Sequence, residues 1–273
     1  ILDIEIKKPN FQFLKVSVMP GPSNLLEDSN SVIIFFKDLT DIIKVQKLKS
    51  DFVANVSHEL RTPLQSIKLG LETINNGHAA KDLESQKKIL PVVLQQTSRM
   101  ENIVNDLLSL SRIELQEHIR PNEKVNLNDI ISHSIELHQE ILKKNNIECQ
   151  FERESKNVKI NGDRNRLIEV FNNLIDNGIK YSEKNKKITI TTKSENKNFL
   201  VTIKDQGIGI SKENIPQVTE RFFRVDPAKS KEVGGTGLGL AIVKHIVNQH
   251  RAEMTISSEI NKGTEISLNF PTI

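Results

Sequence analysis

The octet SHELRTPL, Ser57 to Leu64, sets a histidine beside a glutamate and puts a proline five residues after the histidine. The chain on both sides reads as helix. An imidazole is the side chain best suited to accept a proton or an electrophilic group near neutral pH. Place His58 at zero on a helical wheel turning ~100° per residue. Phe52, Val53, Val56, Leu60, Pro63, Leu64, Ile67, Leu71 and Ile74 then fall between roughly 120° and 240°. Asp51, Thr62, Gln65 and Glu72 lie within roughly 45° of His58. His58 therefore points to solvent, opposite the apolar seam. Pro63 has no N–H and its ring crowds the carbonyl of Glu59, so a bend is expected beside His58. Such a residue costs ~3 kcal/mol in an ordinary helix interior. Glu59, only ~100° round, can take a proton from one ring nitrogen and leave the other the better nucleophile. Thr62 stands one turn on, on the same face. A metal site is not favoured, because no second His or Cys stands at helical spacing.

A second set of residues could hold phosphate. In EVFNNLIDNGIKYS, Asn173, Asn177 and Lys180 share a helical face. Amide oxygens can ligate Mg²⁺, and a lysine can meet phosphate charge. The strand NFLVTIKD delivers Asp205 to its end, and DQGIGI then allows close backbone approach to a ligand. GGTGLGLAI (Gly234 to Ile242) opens a helix whose N-terminal N–H groups can bind an anion. Neither glycine stretch is a P-loop, since no Gly-Lys-Ser/Thr follows at the right spacing. Neither is a dinucleotide fingerprint, because Leu240 stands where the third glycine would fall. The ~25 residues between them are long enough to form a functional lid.

The elements that must position these groups divide the chain in three. Residues 1–40 look like strand material: LDIEI and FLKVSV alternate, SVIIFFKDLT reads as a buried strand, MPGPSN is a turn cluster, and the piece is too short for a complete core. Residues 41–119 read as two helices broken at NNGHAAKD. In the second, Val93, Met100 and Leu107 form one heptad column, with Ile103 and Leu110 on its companion. A hairpin of this kind buries one stripe of each helix, so two copies pairing into a four-helix bundle is its natural completion. Residues 120–273 mix helices (LNDIISHSIELHQEILKKNN, RNRLIEVFNNLIDNGIKYS, GLGLAIVKHIVNQH) with strands (KITITTK, NFLVTIKD, EMTISSE, TEISLNF). They predict an α/β sandwich with a mixed or antiparallel sheet, and an α+β class for the whole chain.

Composition narrows the partners. The longest apolar run falls far short of the ~20 residues of a membrane helix. The single cysteine, Cys149, excludes an internal disulfide framework and a cysteine-based zinc site. A net charge of +3, one Tyr and no Trp give no support for nucleic-acid binding. The chain opens on Ile1 without an initiator Met, which reads as a fragment.

The octet, preceded by DFVANV, resembles the phosphoacceptor box of sensor histidine kinases, the two-component signalling family. The resemblance implies that His58 takes the phosphoryl group of ATP, Glu59 assists as base, and Thr62 positions water for dephosphorylation. The later elements look like the N, G1, F and G2 boxes of the same kinases, in the same order, on a Bergerat-type ATP fold. That fold also serves gyrase, the Hsp90 chaperones and a mismatch-repair ATPase. By resemblance Asn177 is the Mg²⁺ ligand, and Asn173, Lys180 and Tyr181 line the nucleotide. Asp205 accepts a hydrogen bond from the adenine amino group, with Gly207 and Gly209 shaping that wall. Phe222 and Phe223 anchor the lid, and Arg224 reaches toward the γ-phosphate. Gly235, Thr236, Gly237, Leu238 and Gly239 hold phosphates, and Thr264 stands near the adenine.

The resemblance covers residues 41–273. The lid and the last helix look closest to phosphate-regulon sensor kinases, and residues 1–40 resemble the end of a PAS sensor domain. Departures are Gly178 where Ala is commonest, Phe223 where Tyr is frequent, and HRAEM, which lacks the usual glycine pair. None removes a reactive group. The implied cofactors are ATP and Mg²⁺. The implied partners are a second copy of the chain and the receiver domain of a response regulator, with a catalytic domain swinging on a linker near HIRPNEK. The implied setting is the cytoplasmic portion of an inner-membrane-anchored bacterial protein, touching membrane only through a segment outside this chain. Two alternatives stand beside this reading. A gyrase- or chaperone-type ATPase would need Glu169 or Asp176 as base and leaves His58 unexplained. A scaffold would bind ATP without turning it over.

Overall fold

The opening alternation forms β1 (Leu2–Ile6), β2 (Gln12–Pro20) and β3 (Val32–Asp38), an antiparallel sheet in the order β1-β2-β3. The computed structural model describes residues 2–6, 12–20, 32–76, 82–154, 158–182 and 185–273. Most of the turn expected at MPGPSN and of the helix break expected at NNGHAAKD lies outside the described residues. The chain falls into two compact units, Ile1–Thr62 and Pro63–Ile273.

In the first unit the sheet leads straight into α1 (Thr40–Asn76). Asp38 Oδ1 accepts the Thr40 N–H at 2.8 Å, and Thr40 Oγ1 accepts the Phe13 N–H at 2.9 Å. These two bonds satisfy an orphan donor at the helix start and tie it to β2. Ile33, Ile34, Phe35 and Phe36 of β3 are all exposed, so the strand expected to be buried is instead an edge strand with an apolar side chain on each face that no other described residue of the unit covers. His58 is exposed, as the wheel requires, and Glu59 is half-buried. The helix continues through Pro63 without interruption, so the expected bend is not expressed as a break.

The second unit holds the rest of α1, α2 (Leu83–Leu115) and an α/β layer pair. Close approach of α1 and α2 requires a glycine. A Cβ added to Gly70 would sit 2.6 Å from Val93 Cγ2 and 3.3 Å from Ile89 Cγ2. Residues 70 and 93 face each other, which makes the hairpin antiparallel. Asp82 caps α2 by accepting the Glu84 N–H.

Beyond α2, β4 (Lys124–Asn126) pairs with β6 (Lys159–Asn161). The five-stranded sheet has the order β5-β7-β8-β10-β9, from β5 (Glu148–Glu152), β7 (Lys187–Glu195), β8 (Asn198–Asp205), β10 (Gly263–Pro271) and β9 (Glu253–Glu259). The β5–β7 pair is parallel and the others antiparallel. Ile188 and Ile190 of β7, Phe199 and Val201 of β8, and Leu268 and Phe270 of β10 are buried at alternate positions. The intervening residues (Thr189, Thr202, Ser267) are polar and half-buried, so one sheet face is apolar and the other polar. Three helices cover the apolar face: α3 (Leu127–Leu137), α5 (Arg164–Tyr181) and α7 (Gly239–Gln249). Their buried stripes (Ile130 and Ile131; Leu167, Val170, Phe171 and Leu174; Ile242, Val243, Ile246 and Val247) follow the three-and-four spacing. Each fully buried side chain of this kind contributes about 1.5–3 kcal/mol. The segment expected as one helix from Leu127 is two, α3 and α4 (Gln139–Lys144), parted at His138, whose Nδ1 is 2.8 Å from the Ser134 carbonyl. The short strands β4, β5 and β6 carry no alternating signal of their own and emerge only from pairing.

Candidate nucleotide site

A cleft of about 530 Å³ opens between α5, the ends of β8 and β10, and the loop leading into α7. Its size suits a small-molecule ligand. The start of α5 is fixed by a chain of polar contacts. His250 Nδ1 donates to the Ile246 carbonyl at 2.7 Å, and its Nε2 accepts the Asp163 N–H at 3.0 Å. Asp163 in turn caps α5, accepting the N–H groups of Asn165 and Arg166. Burial holds the His250 imidazole below its ordinary pKa, favouring the neutral ring that acceptance by Nε2 demands. While the buried stripe of α5 faces the sheet, its neighbouring face brings Asn173, Asn177, Lys180 and Tyr181 to the cleft.

Asp205, at the end of β8, forms one wall. Its Oδ1 accepts the N–H groups of Gly207 at 2.8 Å and Thr264 at 3.1 Å. Burial raises its pKa, and these two hydrogen bonds oppose the rise. One carboxylate oxygen is thus committed to the backbone, while the residue lines the cleft. Gly209 is at φ +70°, and a Cβ there would lie 2.0 Å from the Glu259 carbonyl oxygen. No other residue fits that turn. Ser258 Oγ accepts the Ile210 N–H and donates to the Gly263 carbonyl, binding the loop to β9 and β10.

The opposite end of the cleft is rich in backbone amides and cations. Gly235, Thr236, Gly237 and Gly239 line it, with Lys180 and Arg224. Lys180 Nζ stands 2.6 Å from Asp176 Oδ2, and Arg224 Nη2 donates to the Thr236 carbonyl at 2.9 Å. Phe222 adopts φ +62°, costly for a bulky residue, and its N–H donates to the Gly237 carbonyl at 2.8 Å. The segment after Val218 is thereby pinned to the glycine loop before α7 through backbone. The lid itself contains α6 (Pro227–Glu232), whose Ser230 hydroxyl meets the Tyr181 hydroxyl at 3.2 Å.

Most of the residues expected at a nucleotide site therefore meet in one cleft. Gly207, Phe222 and Leu238 stand behind its wall instead, and Phe223 is the phenylalanine that lines it. Leu238 is fully buried, with its N–H 3.3 Å from Thr236 Oγ1. His58, Glu59 and Thr62 lie on α1 in the first unit, where Thr62 Oγ1 donates to the His58 carbonyl at 3.3 Å. Sequence reading missed the apolar lining (Ile203, Ile208, Ile210, Val218 and Ile266) and three residues of α2, namely Asn102, Asn105 and Asp106. The apolar residues look like ordinary core strand positions. The α2 residues carry no local signal at all.

α2 reaches this site by packing along α7. Asp106 Oδ2 accepts the Thr236 hydroxyl at 2.7 Å. Ser109 donates to Glu169 and receives a hydrogen bond from Arg166 at 3.1 Å. Glu114 pairs with Arg221 of the lid. Gln249 Nε2 donates to the carbonyls of Gln116 and Ile119, and Arg120 to those of Asn248 and Gln249. Burial raises the Asp106 pKa, opposed by the Thr236 hydrogen bond and Lys180 and reinforced by Glu169 and Asp176.

Comparison with known proteins agrees with this geometry. The His Kinase A (phospho-acceptor) domain model matches residues 48–116, and the model for histidine kinase-, DNA gyrase B- and HSP90-like ATPases matches residues 162–273. The chain is 33% identical over 255 residues to the sensor-like histidine kinase SenX3 of Mycobacterium tuberculosis, covering 93% of this chain and 62% of that protein. It is 34% identical to the phosphate regulon sensor protein PhoR of Pseudomonas aeruginosa (87% and 53% covered). It is 36% identical to the sensor protein kinase WalK of Staphylococcus saprophyticus (88% and 39% covered). The chain thus spans less than two thirds of these curated relatives. Among solved structures, the Acinetobacter baumannii histidine kinase AdeS superposes with a TM-score of 0.62 at 26% identity, covering 78% of this chain and 97% of that one.

Proposed function

Because the chain belongs to the sensor histidine kinase family, we propose that it is the catalytic part of such a kinase, moving the γ-phosphoryl group of ATP onto His58. The observation that carries the reading is the Asp205 wall: a buried carboxylate with one oxygen held by two backbone amides and the other left for a donor such as the adenine amino group. The apolar lining takes the base, and the amides and cations around Gly235–Gly239, with Lys180 and Arg224, take the phosphates. Asn177 lines the cleft with a hard amide oxygen. That fits Mg²⁺, which draws most of its ligands from phosphate and water and needs one or two from protein. When bound there, Mg²⁺ supplies positive charge against the β- and γ-phosphates.

One imidazole nitrogen of His58 attacks the γ-phosphorus, the bond to the β,γ-bridging oxygen breaks, and ADP departs with the electron pair. Glu59 takes the proton from the other nitrogen. The phosphohistidine then yields its phosphoryl group to an aspartate on the receiver domain of a response regulator, and Thr62 positions water for the reverse, dephosphorylating role. Residues 41–119 form the dimerisation and phosphotransfer domain and residues 120–273 the ATP-binding domain. Leu64, Leu71, Leu94 and Leu108 are exposed on the hairpin and supply an apolar face for a second copy. Residues 1–40 are the end of a PAS-like domain. The chain is the cytoplasmic portion of a bacterial inner-membrane protein.

A gyrase-type hydrolysis is disfavoured by geometry. Glu169 is engaged by Ser109 and Arg166, and Asp176 holds Lys180, so neither carboxylate is free to activate water. Incubation with γ-labelled ATP tests the proposal. Acid-labile, base-stable label on the protein that is absent from His58→Ala is expected. Free phosphate without labelled protein would contradict it, and so would nucleotide bound without either product.

A further inference from the structure

The groups best able to bind a terminal phosphate are already engaged by protein. The Thr236 hydroxyl is given to Asp106, Arg224 to the Thr236 carbonyl, and Lys180 to Asp176. Asp106 comes from α2, yet it lines the same cleft as the phosphate-side glycines. Its carboxylate lies close enough to Lys180, Glu169 and Asp176 to feel all three charges. It thus presents an anion to the hydroxyl and to Lys180, which would otherwise meet the end of the triphosphate.

We propose that Asp106 is a nucleotide-selecting residue: while α2 is docked on the ATP-binding layer, its carboxylate occupies the terminal-phosphate position, so this arrangement admits ADP and resists ATP. The inference rests on the nucleotide reading of the cleft. A triphosphate adds charge at its far end, next to Asp106, whereas the base and the first two phosphates do not need Thr236. ATP binding therefore requires Thr236 to leave Asp106, and that loosens the remaining hold of α2. The hold comprises Ser109 with Glu169 and Arg166, Glu114 with Arg221, and the Gln249 and Arg120 bonds. By reciprocity, whatever pulls α2 away raises ATP affinity by the same factor by which ATP favours release. The linker near HIRPNEK, on which the catalytic domain is expected to swing, is fastened by Arg120 and Gln249 in the docked arrangement.

The test is calorimetric titration of ATP and of ADP, each with Mg²⁺, into the whole chain and its Asp106→Asn and Asp106→Ala variants. Asn keeps an acceptor for Thr236 and removes only the charge, so the two variants separate charge from docking. Removal of one like charge beside the terminal phosphate should tighten ATP about tenfold and ADP no more than about threefold. Hydrogen exchange follows the same samples: ATP should raise exchange across residues 102–120 of the unsubstituted chain more than ADP does. Unchanged ATP-to-ADP affinity ratios in both variants would overturn the proposal, as would α2 exchange that responds equally to the two nucleotides. If neither nucleotide binds any of the three proteins, the nucleotide reading of the cleft falls first, and this inference with it.

Discussion

Replacing Asp205 with asparagine separates binding from folding. Oδ1 accepts the Gly207 and Thr264 N–H groups, and an asparagine carbonyl can take the same place. The asparagine amide nitrogen then stands where the second carboxylate oxygen serves the cleft. An adenine amino group would meet a donor instead of an acceptor. Loss of a hydrogen bond to a charged acceptor removes about 1.5–3 kcal/mol, and a buried donor left unmatched adds about 1–3 kcal/mol. A total near 3 kcal/mol corresponds to roughly 150-fold weaker ATP binding. The fold should not suffer, because burial already disfavours the carboxylate charge and the variant removes it. Calorimetry with ATP and with inosine triphosphate, beside thermal unfolding, reads all of this. ATP affinity should collapse while the melting temperature stays within a few degrees. The 6-oxo purine, which offers an acceptor to the new amide, should lose far less. ATP affinity within about threefold of the parent, well short of the cost of one charged hydrogen bond, would refute the assigned role of Asp205.

Other substitutions probe the scaffold. Gly209→Ala forces a side chain at φ +70° into the Glu259 carbonyl and should cost about 3 kcal/mol or more, read as a lower urea midpoint with an unchanged m-value. Gly70→Val pushes into Val93 and should destabilise the hairpin by about 1–3 kcal/mol, visible as earlier loss of helical circular dichroism. His250 is held below the ordinary imidazole value of 6.5, so between its folded pKa and 6.5 the unfolded chain binds more protons. Its contribution is therefore complete above pH 6.5 and is lost as pH falls through the folded value. His250→Asn should flatten the dependence of melting temperature on pH over that acid range.

Legibility in the sequence followed the range of the forces involved. α1, α2, α5 and α7 announce themselves by apolar spacing, and β7, β8, β9 and β10 by alternation. Local periodicity records which face each element buries. Asp205 and the glycines around it were readable because a tight backbone turn restricts residue type within a few positions. Ile103 and Leu110 were read as part of a helical seam, and both are buried. What their pattern could not tell is that α2 also packs on α7. Asp106 meets Thr236, Ser109 meets Glu169 and Gln116 meets Gln249 across long stretches of chain, and such pairings leave no local periodicity. The break at His138 was hidden for a similar reason, since the apolar spacing runs on across it. Phe222 and Phe223 were both read as anchors of the lid, and it is Phe223 that lines the cleft, beside a Phe222 at positive φ.

The central claim is that an exposed imidazole on α1 is the phosphoryl acceptor. Peptide mapping by mass spectrometry under alkaline conditions, after incubation with ATP and Mg²⁺, tests it most directly. The account predicts one phosphorylated peptide, containing residues 51–61, with the added group on His58. Phosphate on any other side chain, or an unmodified His58 in protein shown to bind ATP, would contradict it.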